Sequence, residues 1–254
     1  GDSFTGTDAQ NNTLFGANAG TAITSGDQNT AVGRDALAAT TTGHINVAIG
    51  DYAMANAETA ARNVAVGSQC MTSYVGAGAT WSTAVGFRAC NSTTTATTFT
   101  AVGADALTST TTGSSNVAVG YSAGANLTTG SSNIAVGTSA LQANITGGSN
   151  TIVGNRAYRL GNGGSSNVGI GANTLEDNTG NENTAVGINS MTQNTSGTRN
   201  VAVGAYALQN NTTSNDNTAV GYYALGTSNG GYENTAVGRN AMASMTTGAM
   251  NTAV

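Results

Sequence analysis

The sequence predicts an all-β protein: a parallel β-roll (β-solenoid) of about 14 coils, 17 residues per coil, with two short strands in each coil. Three observations predict it. Glycine recurs at a fixed interval. A β-branched apolar segment precedes each of these glycines. Proline is absent from all 254 residues, as expected where every strand N–H is needed for a ladder.

The spaced glycines are Gly16, Gly33, Gly50, Gly67, Gly86, Gly103, Gly120, Gly137, Gly154, Gly171, Gly187, Gly204, Gly221 and Gly238. The interval is 17 residues apart from one of 19 (Gly67 to Gly86) and one of 16 (Gly171 to Gly187). A period of this kind signals stacked supersecondary units, because one such unit cannot bury its apolar face alone. Residues 1–10 are then a lead-in and residues 11–254 one repeat domain, with an irregular coil at 67–86.

With each spaced glycine as position zero, −1 is apolar, −2 mostly Ala, −3 Thr, Val or Ile, and −4 mostly Asn. Period-two alternation of β-branched residues reads as a strand. A second short segment carries Ala or another small residue at +3 and often Leu or Met at +4. A polar turn rich in Thr, Asn and Ser follows, usually with a second glycine near +10.

Stacking at the normal inter-strand spacing of about 4.8 Å makes a rod with like residues in columns. The −4 asparagines then form a ladder of side-chain amides bonded to the coils above and below. The larger aliphatics are expected inside: Val32, Val66, Val102 and Val136 at −1, with Leu107, Leu141 and Leu208 at +4. By alternation the −2 alanines then face outward. Ala65, Ala101, Ala118, Ala135, Ala202 and Ala219 are expected to form a close-packed oligomer interface. The competing reading is that Ala simply tolerates a crowded corner.

Composition excludes several functions. The formal charge is −5, and all seven basic residues are Arg. There is no basic stripe for nucleic acid, and no apolar run long enough for membrane insertion within this segment. The lone histidine, His44, lies in a turn with no ligand cluster around it, so neither metal nor cofactor is expected. Glu176 and Asp177 are adjacent in a turn, which is a poor arrangement for acid–base work. Asp27, Asp177 and Asp216 are too few for a calcium-binding repeat. The run Gly161–Gly164 lacks the lysine of a phosphate loop. No catalytic residue is assigned, and the protein is expected not to be an enzyme. Cys70 and Cys90 fall at +3 and +4 of successive units, and alternation aims them at opposite faces, against a disulfide.

Variable, chemically distinctive residues concentrate at +1, +2 and in the irregular coil. Tyr74, Trp81, Phe87, Arg88, Tyr121, Tyr222 and Tyr223 are the candidate surface-recognition residues, since repeat proteins commonly bind through variable turns on one face.

The units Asn116-Val117-Ala118-Val119-Gly120 and Asn200-Val201-Ala202-Val203-Gly204 resemble the YadA-like head repeat of trimeric autotransporter adhesins. The longer form Asn217-Thr218-Ala219-Val220-Gly221-Tyr222-Tyr223-Ala224-Leu225 looks like repeats of phage tail fibres and large bacterial surface proteins. The resemblance covers residues 11–254. It implies a left-handed roll, a homotrimer and attachment to a host-surface glycan or receptor. It also implies an extracellular location, on a virion tail or a bacterial cell. The unit of 17 residues is longer than the usual head repeat, and the extra length is expected in the polar turn.

The function expected is therefore a structural or adhesive fibre segment. The alternative is an ice-binding solenoid, disfavoured here because the −3 threonines share the core-facing side with −1. A depolymerase would need paired carboxylates in a groove. Val254 stands at −1 of a further unit, so the array is expected to continue or to join end to end in a filament.

Overall fold

A computed structural model describes residues 9–75 and 78–254. It contains no helix among these residues. The chain divides into two compact units, residues 1–129 and 130–254, and each is a stretch of parallel β-solenoid.

In the first unit the strands are β1 (Thr13–Phe15), β2 (Thr30–Val32), β3 (Val47–Ile49), β4 (Ala60–Ala61), β5 (Val64–Val66), β6 (Gly78–Ala79), β7 (Thr83–Val85), β8 (Thr100–Val102) and β9 (Val117–Val119). In the second they are β10 (Ile134–Val136), β11 (Thr151–Val153), β12 (Val168–Ile170), β13 (Thr184–Val186), β14 (Val201–Val203), β15 (Thr218–Val220), β16 (Thr235–Val237) and β17 (Thr252–Ala253). Except for the small β4–β6 pair, each strand is the −3 to −1 segment of a coil. It pairs in parallel with its equivalents, like on like: Thr30 with Val47, Ala31 with Ala48, Val32 with Ile49.

There is one principal strand per coil, not two. The +3/+4 segment, which the sequence predicts as a strand, is a run of turns in which +2 and +4 take left-handed backbone conformations. Asp35 and Leu37 have φ of 55° and 52°, and Asp105 and Leu107 have 57° and 49°. For a leucine this costs roughly 1–2 kcal/mol. Burying the side chain, worth about 1.5–3 kcal/mol, offsets it. The turns still bond coil to coil, as Leu37 N–H does to the Ala53 carbonyl at 3.1 Å.

The spaced glycine is obligatory at its corner. Gly33 has φ of +134°, and a Cβ there would stand 2.4 Å from the Gly50 carbonyl oxygen.

Strand alternation runs in the opposite sense to the sequence expectation. The −2 alanines are interior: Ala65, Ala101, Ala118, Ala202 and Ala219 are 0% exposed and Ala135 is 2%. They cannot be an oligomer interface. The −1 valines point outward, with Val102 at 37% exposure and Val32, Val66 and Val136 half-buried. Leu107, Leu141 and Leu208 are buried.

The reason is volume. The left-handed residues at +2 and +4 break alternation, so Ala at +3 and Leu or Met at +4 both point inward. This narrow interior then leaves room only for Ala on the strand opposite. Departures from the pattern compensate. Leu14 replaces Ala at −2 where +4 is Gly20, whose added Cβ would lie 2.9 Å from the Leu14 side chain. Ile152 is followed in its column by Gly169, whose Cβ would lie 3.2 Å from Ile152 Cδ1. Tyr158 at +4 is matched by Gly161 at +7, whose Cβ would lie 2.2 Å from the tyrosine ring.

The −4 asparagines, sharing the inward parity of −2, form the expected ladder. Asn46 donates its backbone N–H to Asn29 Oδ1 at 3.0 Å and its Nδ2 to the same oxygen at 3.1 Å. Its Nδ2 also reaches the Ala60 carbonyl at 2.8 Å. Asn46 Oδ1 accepts the Asn63 N–H in turn at 3.1 Å, so this amide satisfies one buried backbone N–H and one carbonyl. The second unit carries another amide ladder, at +7: Asn194 donates to Asn178 Oδ1 at 2.5 Å and Asn211 to Asn194 Oδ1 at 2.8 Å.

Candidate interaction surfaces

The outward columns of the strands define one surface of each unit. At −3, Thr, Val and Ile alternate irregularly down the stack; at −1, Val and Ile predominate. Val85, Val102 and Val119 are each 37% exposed in the first unit; Ile170, Val203 and Val237 are 43, 38 and 38% exposed in the second. Because the strands are in register, these side chains form continuous stripes of β-branched carbon.

A second kind of surface is marked by ion pairs between residues of successive coils, at +1 (Arg34 and Asp51), at −5 (Arg199 and Asp216) and at +2 and +5 (Arg156, Arg159 and Glu176). Arg34 holds Asp51 through two hydrogen bonds of 2.8 and 2.9 Å, and Arg199 holds Asp216 at 2.6 and 2.8 Å. Each guanidinium depresses its partner carboxyl below the ordinary range. Arg156 and Arg159 both donate to Glu176 Oε1, at 3.0 and 2.9 Å. Glu176 is thereby engaged in coil-to-coil bonding, and the pKa of neighbouring Asp177 is raised mainly by desolvation.

The recognition candidates separate. Tyr74 is buried, not displayed: it packs edge-on against Phe99, with ring centroids 6.2 Å apart. The reason lies in the irregular coil and the one after it: Tyr74 occupies the inward +7 position of the first, and Phe99 replaces the ladder asparagine of the second, so two rings fill the space that amides fill elsewhere. Trp81 is 64% exposed, with Arg62 stacked 5.1 Å from its ring. Phe87 is exposed beside Arg88, which pairs with Asp105 at 3.4 Å. Tyr121 is also exposed, in the first unit. In the second unit Tyr222 gathers Tyr206 at 5.8 Å, Tyr223 at 6.4 Å and Arg239 at 5.7 Å. Tyr223 itself is half-buried.

Both cysteines are interior, not aimed at opposite faces, and their thiols are free. Burial pushes the Cys70 thiol up to about 12 and Cys90 well above its ordinary value. His44 offers its backbone carbonyl to the Arg62 N–H at 3.0 Å. Among the described residues no three His, Cys, Asp or Glu side chains converge, and no helix is long and apolar enough to cross a membrane.

Sequence reasoning missed the outward Thr/Val stripe and the second amide ladder. The signals were present: the Leu14/Gly20 and Ile152/Gly169 compensations mark −2 as interior, and the recurrence of Asn at 178, 194 and 211 marks the second ladder.

No protein-family model matches the chain, and no curated protein or solved structure matches it.

Proposed function

We propose that the protein is a non-enzymatic structural segment of an extracellular fibre, built of stacked coils, that associates with copies of itself through its outward strand face. The observation that carries this reading is the exposure of the −1 valines and isoleucines. An ordinary solvent-facing strand column is polar and variable. Here it is aliphatic and repeated, and contiguous exposed apolar patches mark interaction sites. The resemblance of the repeat to YadA-like heads favours three copies, displayed on a virion tail or bacterial surface for attachment to a host. Association through this face leaves the +1/+2 columns free for display.

Mass in solution tests the proposal. Sedimentation of the intact chain is expected to give a multiple of the monomer mass, three for a trimer. The double variant Val102→Lys/Val119→Lys places cations within the stripe and is expected to give monomer with the same circular dichroism. A wild-type monomer would overturn self-association.

One observation favours a second reading. The −3 threonines lie on the outward face, so the burial that argued against ice binding does not hold. A monomer showing thermal hysteresis at micromolar concentration would replace the fibre reading with an ice-binding one.

A further inference from the structure

We propose that the groove beside Tyr52 is a binding site for a neutral polysaccharide, with the Tyr52 ring as its platform. The proposal names a partner class for the display role suggested above and rests on that role for its purpose.

The groove crosses three coils of the first unit, a span of about 10 Å at the inter-strand spacing. Ala38, Ala55, Tyr52, Asp35, Asn56 and Thr72 line it. The side chains supply an aromatic ring, an amide, a carboxylate that also accepts from Asn18 Nδ2 at 2.9 Å, and a hydroxyl that donates to the Tyr52 carbonyl at 3.1 Å, beside alanine methyls. This is the chemistry that a pyranose requires. One sugar face carries axial C–H groups that match the negative face of an aromatic ring, and its rim carries hydroxyls that both donate and accept hydrogen bonds.

The ring is held in place. Arg34 lies 4.9 Å from the Tyr52 centroid and is itself fixed by Asp51 through its two hydrogen bonds. Arg34 does not itself line the groove. A ring fixed before binding loses little rotamer freedom on contact.

Other occupants fit less well. An extended peptide would need free backbone groups for strand addition. Two of the lining N–H groups are taken: Ala39 N–H bonds to the Ala55 carbonyl at 2.9 Å, and Asn56 N–H to the Thr72 carbonyl at 3.1 Å. An anionic polymer would meet the Asp35 carboxylate, with the nearby Arg34 already paired to Asp51. The same +2/+5/+6 positions line a second groove of this unit, where Thr108, Ser109 and Asn126 supply hydroxyls and an amide without a ring. The Tyr52 site alone of these two combines ring and polar rim.

The test is calorimetric titration of the full chain with linear hexaoses of glucose, mannose and galactose, and with polygalacturonate as the acidic counterpart. At least one neutral hexaose is expected to bind with a submillimolar Kd, little changed by salt. Tyr52→Ala is expected to weaken it at least tenfold, Asn56→Ala by a smaller factor, and Tyr52→Phe by less than twofold. Circular dichroism and Tm of the variants guard against unfolding. Binding of none of the neutral hexaoses, binding unmoved by Tyr52→Ala, or preference for polygalacturonate would each overturn the proposal. The mass measurement reads self-association separately, so either idea can fail without the other.

Discussion

The long coil at 67–86 and the short coil at 171–187 depart from the repeat in opposite directions, yet both keep strand register. Across the long coil, Val64 still pairs with Thr83 and Val66 with Val85. Across the short one, Val168 still pairs with Thr184 and Ile170 with Val186. In both, the +3 to +7 turn also keeps its internal bonds: Tyr74 N–H reaches Met71 O at 3.2 Å, and Asn178 N–H reaches Leu175 O at 3.1 Å. The change in length falls after +7, in the polar turn. Gly180, one position early, still accepts from Asn167 Nδ2 at 3.0 Å. The coils differ in how they fill the interior. The short coil keeps the amide column unbroken through Asn167, Asn183 and Asn200. The long coil interrupts it with Ser82, and the coil after it with Phe99, whose ring pairs with Tyr74 of the long coil. The lesson is that the ladder bonds fix where length is tolerated, while either polar or aromatic filling can serve the interior.

The largest effect expected from this comparison concerns where a residue is added. An alanine inserted between Ala185 and Val186 shifts the strand by one residue and exchanges its inner and outer faces, so cooperative unfolding in urea should be lost. A glycine inserted between Thr179 and Gly180 restores a coil of 17 residues and should change stability by under about 1 kcal/mol. Equal effects at the two sites would refute the division between locked strand and tolerant turn.

Next come the two kinds of filling. Phe99→Ala removes the ring that Tyr74 packs against and should cost about 3–5 kcal/mol. Asn183→Ala leaves the buried Asn200 N–H without the Oδ1 acceptor it now has at 3.0 Å and should cost about 1–3 kcal/mol. Urea midpoints of the two variants give the order directly, and a reversed order would make the amide column the stronger of the two.

The smallest effect is alkaline. Cys70, in the long coil, has its thiol pushed up to about 12 by burial, while an unfolded cysteine titrates near 8.5. Between these values the unfolded chain releases a proton that the folded chain keeps. The contribution is therefore intact below about pH 8.5 and is lost progressively above it. Tyr158, in the coil before the short one, is also raised to about 12, but its loss begins only near pH 10, where an unfolded tyrosine titrates. Melting from pH 7 to 10.5 should show the earlier decline; Cys70→Ala should reduce the part that begins near the ordinary cysteine value, and the double variant Cys70→Ala/Cys90→Ala should remove it, since Cys90 is raised by burial as well.

Much of this architecture was legible in the sequence. The spacing of the glycines set the coil, the β-branched −3 and −1 residues set the strand, and Asn at −4 announced the internal ladder. The breaks at Ser82 and Phe99 even marked where that ladder would fail. The candidate surfaces were less legible. Tyr74 was read as displayed because a long loop of variable residues looks exposed, while its +7 position places it inside. The Tyr52 groove depends on residues from three coils and has no signature within any one of them.

By itself the sequence determined period, strand position and the columns in which like residues stack, because these follow from spacing alone. Which face of each strand turned inward was decided only in three dimensions. Alternation offers two equivalent assignments, and hydrophobicity favours burying Val over Ala. The left-handed turns at +2 and +4 aim both Ala and Leu or Met at the interior and leave a space that admits Ala but not Val. That enclosed volume, a property of the closed coil and of no single segment, put the alanines inside and the valines on the surface.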